Sequence, residues 1–201
     1  MDELALAYVA RFAASAAKLE SYLKRKVRER GWVEATGPDG ETRPESEPKS
    51  RLGPESGPES GPESGGDFSP EISPDTLIPE LVARFVRAGY VDDAAFARAK
   101  AGSLRRRGYG ERRVAQALDA AGIASDVRAE IRAGEGDQRR SALALASKRR
   151  FGPWGPPVDR PAREKHLAAM LRAGHRRDMA RAIIHAPDIE SAQEWAAEED
   201  E

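Results

Sequence analysis

Basic side chains gather in four short clusters, and their types and spacing favour one kind of chemistry. The clusters are Lys24, Arg25, Lys26 and Arg28; Arg105, Arg106, Arg107, Arg112 and Arg113; Lys148, Arg149 and Arg150; and Arg176 and Arg177. A guanidinium binds a phosphate or a carboxylate through two parallel hydrogen bonds. One cluster alone is also explained by a solvated helix end. The four together predict a polyanionic partner, either a nucleic-acid backbone or an acidic protein groove.

An aromatic residue lies inside the longest basic cluster. Tyr109 stands between Gly108 and Gly110. Its ring either stacks on a nucleic-acid base or packs across a turn between two helices, and we favour the turn. The two glycines do not form a phosphate-binding loop, because Arg113 occupies the third glycine position of that motif and no strand precedes it. The stretch is therefore predicted to be a helix-to-helix turn.

The residues that catalysis or metal binding requires are scarce. The chain has no cysteine, and its histidines at positions 166, 175 and 185 lack the four-residue spacing of a helical metal site. Asp92 and Asp93 are explained by the start of a helix, where carboxylates cap the backbone and favour the helix dipole. We therefore expect no enzyme, no cofactor and no metal site.

Charge is distributed unevenly along the 201 residues, although the net charge is only −1. Residues 1–33 carry +3 and residues 77–190 carry +9, whereas residues 34–76 carry −8 and residues 191–201 carry −5. No apolar run approaches the ~20 residues of a membrane span, and the acidic start is unlike a signal peptide. We expect a cytoplasmic protein, monomeric and without membrane contact.

The elements that must position the basic clusters are predicted to be helices. Apolar residues recur at helical spacing throughout, as in Leu77, Leu81 and Phe85, and no run alternates with period two. Glycines at positions 31, 89, 122 and 174 follow amphipathic runs, where a left-handed residue ends a helix. Ser73, Asp92 and Ser125 are expected to cap helix starts. The fold class is therefore all-α.

Three helix ends resemble one another, at residues 23–32, 114–123 and 167–175, and each lies between two further helices. The chain is thus predicted to be an elongated array of three tandem three-helix repeats. Their bounds are 1–33 with 75–90, 91–134, and 135–190. Residues 34–74 are a predicted disordered acidic insertion rich in proline and glycine, with the repeated GPES motif. Residues 191–201 are a predicted acidic tail.

The order of these motifs resembles the RecX family, which regulates the RecA recombinase. The stretch LVARFVRAGYVDDAAFARAKAGSLRRRGYGERRVAQALDAAGI, residues 81–123, is similar to the family's central repeat. YVARFAASAAKLESYLKRK resembles the first repeat. LALASKRRFG with LAAMLRAGHRRDMARAI resembles the third, where His175 stands in place of the usual aromatic residue. The insertion within the first repeat departs from the family pattern.

This resemblance implies a non-enzymatic regulator that lies in the helical groove of the RecA–single-stranded DNA filament. There it would bridge protomers, limit filament growth and suppress ATP hydrolysis and strand exchange. The fifteen site residues named above would contact RecA or the DNA backbone. An alternative function is a helix-turn-helix regulator of duplex DNA, since residues 114–131 combine two helices and a glycine turn. The candidate recognition helix, SDVRAEIRAG, has few base-reading side chains.

Overall fold

The computed structural model describes residues 1–30 and 73–198, and in these ranges regular structure is helical throughout. The helices are α1 (Asp2–Arg11), α2 (Ala16–Arg30), α3 (Pro74–Arg87), α4 (Asp93–Arg106), α5 (Glu111–Asp119), α6 (Ser125–Glu130), α7 (Glu135–Arg149), α8 (Arg160–Arg172), α9 (Arg177–Ile184) and α10 (Ile189–Ala197), with a short 3-10 helix at Gly152–Trp154. The predicted all-α class is confirmed. None of the described helices has the length and apolarity that crossing a membrane requires. The predicted insertion, residues 34–74, lies outside the described residues except for its last two.

Helix ends follow the predicted chemistry at most positions. Gly89, Gly122 and Gly174 have φ angles of 76°, 72° and 98°, the left-handed conformation that glycine adopts without strain. The Asp92 carboxylate caps α4 by accepting a hydrogen bond from the Ala95 amide at 2.8 Å. The prediction for Ser125 is wrong: Ala124 is the residue before the helix, and Ser125 is its first helical residue.

Three hydrophobic clusters lie along the described part of the chain. The first includes Leu19, Leu23, Ile78, Leu81, Val82 and Phe85 from α2 and α3. The second includes Ala97, Ala101, Val114, Leu118 and Ile123 from α4, α5 and the turn that follows. The third includes Ala142, Leu145, Leu167, Met170, Ala180 and Ile183 from α7, α8 and α9. Each cluster is small, because these helices meet largely through alanine, leucine and isoleucine.

We call α1–α3, α4–α6 and α7–α9 the first, second and third helix groups. A close contact joins the first group to the second. The Ser15 hydroxyl, which is buried, donates to the Ala121 carbonyl oxygen at 2.6 Å. The Ala16 amide donates to the Asp93 carboxylate at 2.8 Å, so Asp93 serves the start of α2 and not only its own helix. A Cβ atom at Gly122 would lie 2.2 Å from the Cβ of Ala17. Glycine is therefore required at this position by the contact as well as by its φ angle.

The C-terminal helix was not predicted from the sequence. α10 begins at Ile189, ends at Ala197 and buries Ala192 and Ala196, and it crosses the predicted start of the acidic tail at residue 191. It packs on α7, where Arg139 lies over the Trp195 ring and donates to the Trp195 carbonyl oxygen. The Asp188 carboxylate caps its start by accepting from the Ser191 amide at 2.8 Å. The helix thus extends the third group beyond residue 190.

Candidate nucleic-acid interface

A basic cleft of about 640 Å³ lies between the α4–α5 turn, the end of α7 and the end of α8. It combines residues from two clusters that are far apart in the sequence. Its lining comprises Arg107, Tyr109, Arg113, Leu145, Lys148, Arg149, Phe151, Ala169, Arg172 and Ala173. We call this the central cleft. Its walls belong to helices of the second and third groups, so its shape depends on how these two groups meet.

The charge of the central cleft is entirely positive. Arg107, Arg113, Lys148, Arg149 and Arg172 line it, and no acidic residue does. All five are exposed, and none forms an ion pair with the described part of the chain. Five uncompensated cations around one concave surface create a strong positive potential. Such a surface attracts a chain of phosphates.

Tyr109 supplies an aromatic surface beside these cations. Its ring is half-buried, and the Arg107 guanidinium lies 5.4 Å from the ring centre. The Tyr109 amide donates to the Leu104 carbonyl oxygen at 3.1 Å, which fixes the turn after α4. Tyr109 therefore takes part in the helix-to-helix turn and also lines the cleft. An aromatic ring in a basic groove suits single strands, whose unpaired bases stack on it.

The cleft owes its shape to a tight junction between the α4–α5 turn and the end of α8. The Gly110 amide donates to the Ala173 carbonyl oxygen at 2.9 Å, and the Arg112 amide donates to that of Gly174 at 3.3 Å. The Arg112 guanidinium donates to the Leu171 carbonyl oxygen at 2.7 Å. A Cβ atom at Gly110 would lie 2.3 Å from the Gly174 carbonyl carbon. Only glycine permits this approach.

His175 completes the junction from the inside. It is buried, and its Nε2 donates to the Gly108 carbonyl oxygen at 2.9 Å. Burial lowers the pKa of His175, and the hydrogen bond with Gly108 opposes that shift more weakly. The neutral imidazole is therefore the form that the junction favours. His175 has a structural role, and the described residues include no cluster of His, Asp and Glu that could hold a metal ion.

The structure changes the expectation for Arg105. Its guanidinium makes a bidentate ion pair with Glu111, with nitrogen–oxygen distances of 2.9 to 3.2 Å, and donates to the Ile131 carbonyl oxygen at 2.8 Å. The side chains of Arg105 and Glu111 are only 19% and 18% exposed. Arg105 therefore holds α4 against the start of α5 and the end of α6. Its neighbours Arg106 and Arg107 are exposed.

The cluster on α2 is separate from the central cleft and partly neutralised. Lys24 pairs with Glu20 at 2.7 Å, and this hydrogen bond raises the pKa of Lys24. Arg25 and Lys26 both pair with Glu29, at 3.6 and 2.6 Å. The hydrogen bond from Lys26 lowers the pKa of Glu29. The Arg28 guanidinium donates to the Lys24 carbonyl oxygen at 3.4 Å.

The remaining predicted residues lie at helix ends around the third group. Arg150 ends α7 in the left-handed conformation, with a φ angle of 55°, and its side chain is exposed. Arg176 is occupied by Asp178 and lies 3.8 Å from Glu135. Arg177 is exposed and lines a different pocket, formed by α8 and α9. The structure thus unites part of two predicted clusters and leaves the others apart.

Arg172 is a residue of the central cleft that the sequence reasoning missed. It is a single basic residue in the last turn of α8, two positions before Gly174. A single arginine does not form a cluster in the sequence, and the helix dipole alone explains a cation at that position. A basic residue also lies one or two positions before the glycines at positions 89 and 108, which is a weak signal. The structure shows that Arg172 lines the cleft together with Arg113.

The fold and the cleft define an all-α protein built from small helix groups, and one of these groups is similar to a known protein domain. The model of the second three-helix domain of RecX matches residues 92–130, which contain α4, α5 and α6. This range includes the α4–α5 turn that forms one wall of the central cleft.

A curated relative extends the similarity beyond that domain. The chain is 36% identical over 112 residues to a protein named Regulatory protein RecX from Myxococcus xanthus (strain DK1622). The matched region covers 53% of this chain and 60% of the relative, so the chain spans about three-fifths of the relative's length. Together the two matches confirm the resemblance to the RecX family.

Proposed function

We propose that this protein binds the filament that RecA forms on single-stranded DNA in the cytoplasm and inhibits it. Bound in the filament groove, it limits filament growth and suppresses ATP hydrolysis and strand exchange. The observation that carries this proposal is the central cleft, with its five uncompensated cations and Tyr109. The RecX resemblance supplies the identity of the filament. We propose three tandem units, a monomeric state and no catalytic step.

The cleft is suited to a nucleic-acid backbone more than to base-specific recognition. Arginine and lysine side chains bind phosphate oxygens whatever the sequence, and an aromatic ring stacks on any base. Arg113 and Arg172 come from α5 and α8 and both line the cleft, so a bound strand contacts side chains of two helices. We include Arg106, Arg112 and Arg150 as flanking contacts to DNA or RecA. Arg105 is excluded, because its guanidinium is committed to Glu111.

The α2 cluster is proposed as a contact to RecA rather than to DNA. Its lysines and arginines are partly neutralised by Glu20 and Glu29, and they lie on another helix group. Exposed ion pairs of this kind contribute little stability and exchange readily. An acidic patch on a protein partner can therefore replace the internal carboxylates without a large cost.

The helix-turn-helix alternative is less well supported by the geometry. The helix that would enter the major groove is α6, which has only six residues. Its one basic residue, Arg128, is paired with Asp119 at 2.9 Å. A recognition helix needs several free polar side chains near its start to read base edges. We therefore retain filament binding as the proposed function.

ATP hydrolysis by RecA on single-stranded DNA, measured with strand exchange in the same reactions, tests this proposal. Wild-type protein is expected to reduce both activities at amounts well below that of RecA. The variant R113A/R149A/R172A is expected to inhibit much less, because three cations of the cleft are lost. A charge-matched control, R87A/R98A/R132A, removes three exposed arginines outside the cleft and is expected to inhibit normally. Full RecA activity at equimolar wild-type protein would contradict the proposal.

A further inference from the structure

A second basic surface lies on α8 and α9, outside residues 92–130, which the RecX domain model matches. Arg160, Arg163, Arg177 and Arg181 line a pocket of about 390 Å³ together with His185. All four arginines are exposed, and they form no ion pair with any residue that the structure describes. We call this the α8–α9 pocket. Only Arg177 belongs to a predicted cluster.

The two basic surfaces occupy opposite faces of α8. Arg160 and Arg163 line the α8–α9 pocket, whereas Ala169 and Arg172 line the central cleft. With 3.6 residues per turn, the two sets of α8 positions differ by a rotation of roughly 180° about the helix axis. A helix with its side chains is about 10–12 Å across. A strand lying straight in one site therefore does not pass through the other.

The chemistry of the α8–α9 pocket favours phosphates over a protein surface. Its only apolar lining residue is Leu167, which is 8% exposed, and its only acidic residue is Glu164. Stable protein interfaces have a desolvated apolar or aromatic centre, which is missing here. Converging guanidinium groups match the spaced oxygens of a phosphodiester backbone. A nucleic-acid strand is thus the occupant that the residues fit.

We propose that the α8–α9 pocket is a second nucleic-acid site, which holds a separate strand by its phosphates while the central cleft holds the first. One molecule then bridges two segments of DNA across α8. This inference rests on the proposed function in one respect, namely that the central cleft binds DNA. The second site itself depends only on the arginines of α8 and α9.

Stoichiometry measured without RecA tests the second site. Labelled oligo-dT strands, too short to reach around α8, are titrated into the full-length protein at low salt, and sedimentation gives the number of strands bound per molecule. Wild-type protein is expected to bind two strands, and R163A/R177A/R181A one. The affinity of the remaining site should change by less than about twofold, because separated sites act additively. The control R87A/R98A/R132A should bind two, and circular dichroism should show equal helicity in all variants.

The outcomes separate this inference from the proposed function. An R163A/R177A/R181A variant that binds as many strands as the wild type, whether one or two, overturns the second site. A wild type that binds one strand, with none bound by that variant, overturns the central cleft instead. Binding of poly-glutamate in preference to oligo-dT at this pocket overturns it as well, in favour of an acidic protein partner. If instead R113A/R149A/R172A still binds two strands, the central cleft is not a DNA site and the proposed function fails while the second site stands.

The salt dependence of the second site gives an independent readout. If all four arginines contact phosphates of a single strand, the slope of log affinity against log salt is about −3, at about 0.7 per contact. Raising the salt fourfold then weakens this site by roughly 50-fold. In R163A/R177A/R181A any residual binding should lose about two units of slope. Binding that does not depend on salt would overturn a phosphate contact.

Discussion

Substitution of Gly110 by alanine probes the junction that shapes the central cleft. Gly110 has a φ angle of −76°, which alanine adopts without strain, so the effect is one of space alone. The added Cβ would lie 2.3 Å from the Gly174 carbonyl carbon and 2.4 Å from the His175 amide nitrogen. These are backbone atoms, which cannot turn aside as the end of a side chain can. The turn and the end of α8 must therefore separate or remain compressed.

The loss in the free energy of unfolding is set by whichever of these two responses is less unfavourable. If the junction stays closed, overpacking costs about 1–3 kcal/mol. If it opens, three hydrogen bonds from Gly110 and Arg112 to the end of α8 are lost, at about 1 kcal/mol each. The free energy of unfolding should therefore fall by about 2 kcal/mol, which corresponds to roughly 4–8 °C in the melting temperature of a protein of this size. The walls of the cleft shift at the same time, so DNA affinity should also fall.

Urea denaturation followed by circular dichroism measures this change, with Gly102→Ala as the matched control. Gly102 lies within α4, and a Cβ there would meet only the end of the Arg106 side chain, at 3.2 Å. That substitution should be neutral or stabilise the helix by about 0.5–1 kcal/mol. A Gly110→Ala variant as stable as wild type, with unchanged DNA affinity, would refute the junction as the element that positions the cleft.

Three further predictions concern charge. Arg105→Ala should lower the free energy of unfolding by about 2 kcal/mol, because it leaves Glu111 without its partner. Arg107→Ala should change the free energy of unfolding by less than about 0.5 kcal/mol. Equal effects of the two substitutions in urea denaturation would contradict the structural role of Arg105. Burial lowers the pKa of His175, so the unfolded chain takes up the proton first as pH falls from about 7 to 5. The free energy of unfolding of the wild type should fall over that range more steeply than that of His175→Gln. Parallel pH profiles of the two proteins would show that His175 does not cause the pH dependence. The R163A/R177A/R181A variant leaves the central cleft as the DNA site. Five phosphate contacts in the cleft predict a slope of about −3.5 for log DNA affinity against log salt. A slope near zero in anisotropy titrations would contradict these phosphate contacts.

Local features of the fold were predictable because neighbouring residues decide them. The glycines at positions 89, 122 and 174 end helices through a conformation that other residues rarely adopt, and Asp92 caps through an oxygen three residues from its donor. Ser125 shows the limit of such reasoning. A capping residue one position from the true boundary gives the same sequence pattern. α10 escaped prediction because its acidic composition masks the two small buried alanines that pack on α7.

The candidate site could be predicted only in part, because its residues converge through tertiary contacts. The sequence places Arg107 and Arg149 in separate clusters, and nothing local indicates that they share a cleft. The junction at Gly110 decides that, through a backbone approach that no periodicity reveals. Direction matters as well: Arg105 turns inward to Glu111, while Arg107 turns outward to the cleft. Adjacent residues of one type thus have different roles.

Binding to a preformed RecA–single-stranded DNA filament tests the central claim most directly. The filament is assembled with a slowly hydrolysed ATP analogue, and labelled protein is titrated with it while fluorescence anisotropy is recorded. Wild type and the control R87A/R98A/R132A are expected to bind equally, whereas R113A/R149A/R172A should bind at least tenfold more weakly with unchanged helicity, about 1.4 kcal/mol or more. Equal affinity of all three proteins for the filament would contradict the account.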